Sequence, residues 1–251
     1  MLRNRDADWD AWPVEDYLTE NYRRLHRADE AVIDHHSEVY ARLAPDSLDR
    51  TVECGAGPNL YPLALAAAAS RLVHAVEPSA ASAGYLRRQL RDGPDPSWEP
   101  FYARCRQRNP ALPPSLAQAL SRVRVTRADA FALPEGRYAL GSMNFVAESV
   151  TEDGEEFAAF CRAFTRAVRP GGHLVASFME GMGRYSIAGG RDWPGVPVDV
   201  ARVTEVFAPH TVDLAVRRID ADPDLPDWGY TGMILLSARR DPTRPTGPTR
   251  G

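Results

Sequence analysis

Lysine is missing altogether: the 30 basic residues of this 251-residue chain are all arginine. With its many alanines and prolines, the chain reflects the coding bias of a GC-rich genome, which says nothing about function. The absence of lysine does exclude a P-loop, whose Gly-Lys-Ser/Thr element holds nucleotide phosphates. A basic excess is missing too. Against 34 Asp and Glu the formal net charge is −4, whereas a nucleic-acid partner calls for the opposite balance. Arg104, Arg106 and Arg108 cluster, followed by Arg122, Arg124 and Arg127; they read as solvated residues of a surface insert. Cysteine is scarce, and Cys54, Cys105 and Cys161 are odd in number and widely spaced. That spacing argues against a disulfide framework and a metal motif and fits a reducing, cytoplasmic setting. No apolar run approaches the roughly 18 residues needed to span a membrane. The polar, acidic start is unlike a secretory leader. Neither a nucleic-acid nor a membrane partner is expected; monomer and homodimer stay open.

What is present is an ordinary globular composition, 44% apolar and 25% charged, enough for one large α/β domain. Residues 1–12 read as loose apart from Trp9 and Trp12. Apolar residues at helical intervals predict a helix from Asp16 to about Leu43, which Pro45-Asp46-Ser47 ends. A strand, a Gly-rich turn, an Ala-rich helix, a second strand and a second helix then follow over residues 49–90. This alternation is that of a parallel sheet covered by helices. Residues 92–120 form an insert rich in proline, with Trp98, Phe101 and Tyr102 as anchors. Further strands are expected at Val123–Thr126, Ala139–Val146 and His173–Phe178, with an amphipathic helix over Glu155–Val168 that Arg169-Pro170-Gly171-Gly172 stops. Residues 180–198 read as a Gly-rich aromatic loop. Helix Val200–Phe207 and two antiparallel strands complete the pattern, and residues 241–251 are expected to be disordered. The divisions are thus a helical N-terminal segment (1–47), a main domain (48–240) and a tail.

Three strand ends carry the chemistry. Glu53-Cys54-Gly55-Ala56-Gly57-Pro58 closes the first strand and opens the first helix, where ligands of open α/β sheets bind. Glycines let the backbone approach a ligand, and the carboxylate of Glu53 can reach an ammonium group. The dinucleotide fingerprint requires a third glycine where this chain has Leu60. Glu77-Pro78 ends the second strand, and a carboxylate there can accept both hydroxyls of a ribose. Asp129-Ala130 follows the third strand: the carboxylate can accept adenine amino hydrogens and the next N–H can meet a ring nitrogen. Asp129 could equally cap a turn.

Glu53-Cys54-Gly55-Ala56-Gly57, Glu77, Asp129 and Arg169-Pro170-Gly171-Gly172-His173-Leu174 together resemble the ordered motifs of class I S-adenosylmethionine-dependent methyltransferases, over roughly residues 48–178. The resemblance implies a Rossmann-like α/β fold with a seven-stranded, mostly parallel sheet, an antiparallel last strand and helices on both faces. It also implies S-adenosylmethionine as cofactor. A narrower likeness covers most of the chain. Residues 12–22 (Trp-Pro-Val-Glu-Asp-Tyr-Leu-Thr-Glu-Asn-Tyr), Gly55-Ala56-Gly57-Pro58-Asn59-Leu60-Tyr61, the Trp98-Glu99-Pro100-Phe101 insert and Tyr185-Ser186-Ile187-Ala188-Gly189 look like nicotinamide and phenylethanolamine N-methyltransferases. Carried over, Tyr17 and Tyr22 would bond the cofactor's carboxylate from an N-terminal lid. Tyr61 would line the same pocket, and Ser82 would lie near the ribose. Asn144 and Glu148 stand where class I enzymes orient the nucleophile.

The chain departs from that family after the fifth strand, where the relatives place an amine-gripping acid. Ser177-Phe178-Met179-Glu180-Gly181-Met182-Gly183-Arg184-Tyr185 offers Glu180 nearby. Arg184 could grip a carboxylate through its planar fork. Tyr185, Asp227 and Trp228 are further candidates for the substrate side. Adjacent His35 and His36 cannot both face one metal and suit a surface or capping role. Methyl transfer to nitrogen needs no strong base, whereas a hydroxyl must lose its proton. With no well-placed histidine, a small-molecule N-methyltransferase is the leading expectation. An O-methyltransferase or a cofactor-binding module without turnover are the alternatives.

Overall fold

Strands buried on both faces need helices above and below them. β1 (Thr51–Cys54) is buried along its whole length, and β2 (Val73–Val76) nearly so. A computed structural model describes residues 1–243. It adds β3 (Val123–Thr126), β4 (Tyr138–Asn144), β5 (Val168–Glu180), a short hairpin of β6 (Tyr185–Ser186) and β7 (Asp192–Trp193), and then β8 (Thr211–Asp220) and β9 (Gly232–Arg240). Seven of these form one sheet in the order β3-β2-β1-β4-β5-β9-β8. Strands β1 to β5 pair in parallel, and β9 runs antiparallel to both β5 and β8. The last strand is therefore the reversed one, inserted between β5 and the edge strand β8. The chain moves outward from β1 to β3 and returns to β4 on the other side of β1. A crevice opens where that order reverses, at the carboxyl ends of β1 and β4.

The helices are α1 (Val14–Asn21), α2 (Arg27–Tyr40), α3 (Tyr61–Ala66), α4 (Ala80–Asp92), α5 (Glu99–Arg108), α6 (Leu116–Leu120), α7 (Gly154–Ala167) and α8 (Val200–Phe207). Strand alternation assigns two cores. Val175 and Met179 of β5 pack with Ile33, Leu63 and Phe101 on one face. Leu174, Ala176 and Phe178 pack with Phe157, Phe164 and Phe207 on the other. The expected single helix over residues 16–43 is two helices. The Asn21 side-chain amide donates to the Tyr17 carbonyl at 2.9 Å, and Tyr22 leaves helical geometry at φ −129; such local bonding competes with the helix. Helix α7 ends at Ala167, next to the stop expected at Arg169–Gly172, and that stretch is a bulge at the start of β5, since the β4–β5 register jumps between Tyr138↔Val168 and Leu140↔His173. Of the tail expected to be disordered, residues 244–251 lie outside the described residues, while Thr243 donates its backbone N–H to the Asp241 carboxylate at 2.8 Å.

Candidate active site

The turn after β1 forms the floor of a cleft of about 870 Å³, open solvent included. Gly55 and Gly57 both have positive φ, 68° and 53°. A Cβ on Gly55 would lie 2.6 Å from a methyl of Val146, so this residue must be glycine on both counts. The turn's amides are already used: those of Gly55 and Ala56 bond the Val76 carbonyl, and that of Gly57 donates to Glu77 Oε2 at 2.8 Å. Glu77 Oε1 accepts the Ser79 amide at 2.8 Å. Glu77 thus ties the ends of β1 and β2 together and keeps lone pairs for a ligand. Burial pushes its carboxyl up to about 7 against those two amide bonds. Pro78, Ser79 and Ser82 continue this wall. Asp129 and Ala130 line it further on; Asp129 also caps the turn after it, accepting the Phe131 amide at 2.8 Å. Phe160 of α7 and Val150 supply an apolar wall that sequence reading missed, because a Phe at helical spacing looks the same in a core.

The register builds a polar row at the head of the sheet. Glu53 pairs with Ser142, and Asn144 with Ser177, so alternation turns all four side chains to one face. Asn144 Nδ2 donates to Glu53 Oε1 at 3.0 Å and to the Ser142 hydroxyl at 3.1 Å. Its Oδ1 accepts from the Ser177 hydroxyl at 2.6 Å and from His36 Nε2 at 2.9 Å. With its proton on Nε2, the His36 ring accepts at Nδ1 from His35 Nδ1, 3.0 Å away. Burial holds His36 down at about 3, so it is neutral. The expected surface or capping role is corrected: His36 is wholly buried and orients Asn144. Glu53 is 2% exposed and lines the cleft, yet its Oε2 has no hydrogen-bond partner. Desolvation pushes its carboxyl up to about 7, opposed by Ser142 and Asn144. A buried oxygen without a partner is costly, and this one belongs to a residue that lines the cleft.

The N-terminal segment covers the cleft. Residues 1–12, expected to be loose, are tied down. The Leu2 amide bonds Glu152 at 2.9 Å, the Asn4 amide bonds Glu156 at 3.1 Å, and Arg3 pairs with Asp153 at 2.6 Å. Asp10 accepts the Ala80 amide at the start of α4 and pairs with Arg127, both at 2.7 Å. Trp9 stacks on Trp193 of the β6–β7 hairpin at 5.4 Å, with Arg191 on the ring of Trp193. Tyr17 and Tyr22 line the cleft with hydroxyls 3.4 Å apart, and Tyr22 accepts from Asn59 Nδ2 at 3.0 Å. Burial raises both phenols, Tyr17 to about 12, so both are hydroxyl donors at neutral pH. The insert supports them: Trp98 and Phe101 pack on Tyr22 at 5.2 and 5.9 Å.

Beyond Tyr17, Phe145 and Tyr185, which line both spaces, the cleft continues into a chamber of about 560 Å³. Phe145 follows β4 with φ 57, a strained conformation for a bulky residue and one that concentrates at functional sites. Trp228, Met179 and Met182 line the chamber, and so does Asp29, which sequence reading did not single out. Other expected site residues lie elsewhere. Glu180 turns to a surface groove, bonding Arg218 at 2.7 Å and the Thr231 hydroxyl at 2.8 Å. Arg184 is half-exposed and paired with Glu152. Asp227 accepts the Gly229 amide at 3.0 Å in a surface turn. Glu148 and Tyr61 are buried behind the walls: Glu148 accepts the Met179 amide at 2.8 Å, and Tyr61 stacks on Phe101. Asp222 is buried and accepts the Ala28 amide at 3.2 Å. Arg104 and Arg108 both hold Asp34. Among the described residues no cluster of His, Cys, Asp or Glu could hold a metal ion, and no helix is long and apolar enough to cross a membrane.

No family model and no curated protein matches the chain; solved structures do. The N-methyltransferase NodS from Bradyrhizobium japonicum WM9, in complex with S-adenosyl-L-homocysteine, aligns over 93% of each chain with a TM-score of 0.53 and 14% identity. The 1,6-didemethyltoxoflavin-N1-methyltransferase of Burkholderia thailandensis, with 1,6-didemethyltoxoflavin and S-adenosylhomocysteine bound, aligns over 85% of this chain and 80% of its own, with a TM-score of 0.52 and 20% identity. The fold is that of the class I methyltransferases. A 4+2 cyclase, SpnF, aligns over 83% of this chain and 81% of its own with a TM-score of 0.55 and 14% identity. The fold alone therefore does not choose the reaction, and the site must do so.

Proposed function

We propose that this chain is an S-adenosylmethionine-dependent methyltransferase acting on a small molecule, with nitrogen as the accepting atom. One observation carries the reading: Glu53, at the end of β1, lines the cleft beside the positive-φ glycine turn and keeps a buried carboxylate oxygen, Oε2, without a partner. A ligand ammonium would complete it, and the space that Gly55 leaves free admits the ligand. In this reading Glu53 holds the amino group of the cofactor, and Tyr17 and Tyr22 donate to its carboxylate. Glu77 takes the ribose hydroxyls with Ser82 nearby. Asp129 and the Ala130 amide meet the adenine against Phe160. When bound, the cofactor supplies an electrophilic methyl group on sulfur. The chain's own work is alignment and exclusion of water, by residues 1–47 as a lid and the β6–β7 hairpin.

Nitrogen is favoured because His36 and Glu180, two candidate bases, are already engaged. His36 is neutral and spends Nε2 on Asn144, and Glu180 is engaged by Arg218. An uncharged nitrogen brings its own lone pair. The finer likeness to nicotinamide and phenylethanolamine N-methyltransferases is supported by the way its segments meet, with Tyr22 packed on Tyr61, Trp98 and Phe101. Buried, unpaired Cys54, Cys105 and Cys161 suit the reducing cytoplasm. The test is calorimetry with S-adenosylhomocysteine, followed by methyl transfer over a panel of amines, N-heterocycles and phenols. Binding with turnover on nitrogen is expected. Turnover on phenols alone would move the acceptor to oxygen, binding without turnover would make the chain a binding module, and no binding would sink the reading.

A further inference from the structure

The inner chamber differs in chemistry from the cleft that leads to it. Its walls are aromatic and thioether groups, among them Trp228, Met179, Met182 and Met233, with the Asn21 amide and one charged side chain, Asp29. Asp29 is 6% exposed, and its Oδ2 has no hydrogen-bond partner. Among the described residues no arginine lines the chamber or the cleft. We propose that the chamber is a recognition site for a positively charged group of the substrate, an organic ammonium, whose N–H is held by Asp29 Oδ2.

The inference rests on the reading of the outer cleft as the cofactor site and adds to it the charge of the substrate. A buried carboxylate without a counter-ion is unfavourable, and supplying the opposite charge relieves it. Among the described residues no cation lines the chamber to do so. The start of α2 already has a carboxylate on its backbone, from Asp222 on the Ala28 amide, and that second acid makes the surroundings more negative. Burial pushes the Asp29 carboxyl up to about 8, against hydrogen bonds from the His26 backbone and the Tyr61 side chain and with Asp222 adding to the rise. Aromatic faces and thioethers suit an ammonium as neighbours, and Tyr17 and Trp228 stand parallel at 6.3 Å. An anionic group would meet Asp29 with no cation to offset it. The charged group is an anchor and not the methyl acceptor, because a nitrogen bearing a full positive charge has no lone pair to give. The substrate is thus a two-ended small molecule: an ammonium in the chamber, and a separate nucleophile on the cleft side of Tyr185 and Phe145.

The test uses the full chain saturated with S-adenosylhomocysteine at pH 8. Primary ammonium ions of graded size, from methylammonium through benzylammonium to naphthylmethylammonium, are titrated beside the corresponding alcohols. At least one ammonium should bind about tenfold or more tightly than its alcohol, the scale of a charge-assisted hydrogen bond. Asp29→Asn should erase that preference and leave S-adenosylhomocysteine affinity within about twofold, which also certifies its fold. The inference is overturned if no ammonium binds, if alcohols bind equally well, or if Asp29→Asn keeps the preference. Should that variant not fold, the wild-type comparison still decides. Failure of S-adenosylhomocysteine to bind the wild type overturns the cofactor reading itself, a distinct result.

Discussion

At the scale of residues, the cleft is defined by carboxylates that burial has made reluctant to ionise. Glu53 and Glu77 are both pushed up to about 7, so near neutrality each is partly protonated while the cleft is empty. If Glu53 holds an ammonium, the ligand must select the carboxylate form. Affinity for S-adenosylhomocysteine should then fall as pH drops, by about tenfold between pH 8 and pH 6; calorimetry showing equal or tighter binding at pH 6 removes Glu53 from that role. Glu77→Ala should weaken the same ligand by about 1.5–3 kcal/mol, the cost of losing a buried bond to a charged acceptor. Far-ultraviolet dichroism should stay native, and unchanged affinity would take Glu77 away from the ribose.

Elements place these residues, and their joints are the sensitive points. At the β1–α3 turn the two glycines differ in a way that can be measured. Gly55→Ala meets both positive φ and Val146, whereas Gly57→Ala meets positive φ and open space. Denaturant titration should show both variants destabilised, Gly57→Ala by about 1 kcal/mol and Gly55→Ala by more, because overpacking adds its own cost. Equal losses would mean that Val146 yields freely. The N-terminal segment closes the cleft through Trp9 stacked on Trp193. Such an aromatic pair is worth about 0.5–1.5 kcal/mol beyond its buried area. Trp9→Ala should therefore speed S-adenosylhomocysteine release several-fold in stopped-flow, with little change in melting temperature. An unchanged off-rate would make the stack mere packing.

The whole molecule carries four buried carboxyls raised by desolvation: Asp29 and Glu148 to about 8, Glu53 and Glu77 to about 7. A carboxyl with a raised folded value contributes stability that is present below its unfolded value and lost as pH rises through the folded one. The ligand-free protein should therefore melt higher at pH 6.5 than at pH 8.5. Below pH 6.5 the gain should flatten, because His36, held at about 3, and His26, His35, His74 and His173, all held low chiefly by burial, protonate first in the unfolded chain. Calorimetric scans that instead show the melting temperature climbing steadily from pH 6.5 to 8.5 contradict this. S-adenosylhomocysteine should reduce the slope by supplying a counter-charge to Glu53.

Order along the chain is what the sequence determined alone. The alternation of strands and helices, the glycine turn after Glu53, the acids at Glu77 and Asp129 and the strand Val123–Thr126 are local signals, set by backbone geometry within a few residues. They were enough for a Rossmann-like fold and for the outer cleft. Tertiary structure decided which acids face a ligand. Glu180 was plausible from its place after β5, yet Arg218 and Thr231, 38 and 51 residues away, draw it to another surface. His35 and His36 looked peripheral until packing set His36 against Asn144, 108 residues on. Asp29 became visible only when α2, β5 and the loop bearing Trp228 closed around it. Whether a carboxylate is solvated, paired or stranded depends on neighbours distant in sequence, so no local pattern can report it.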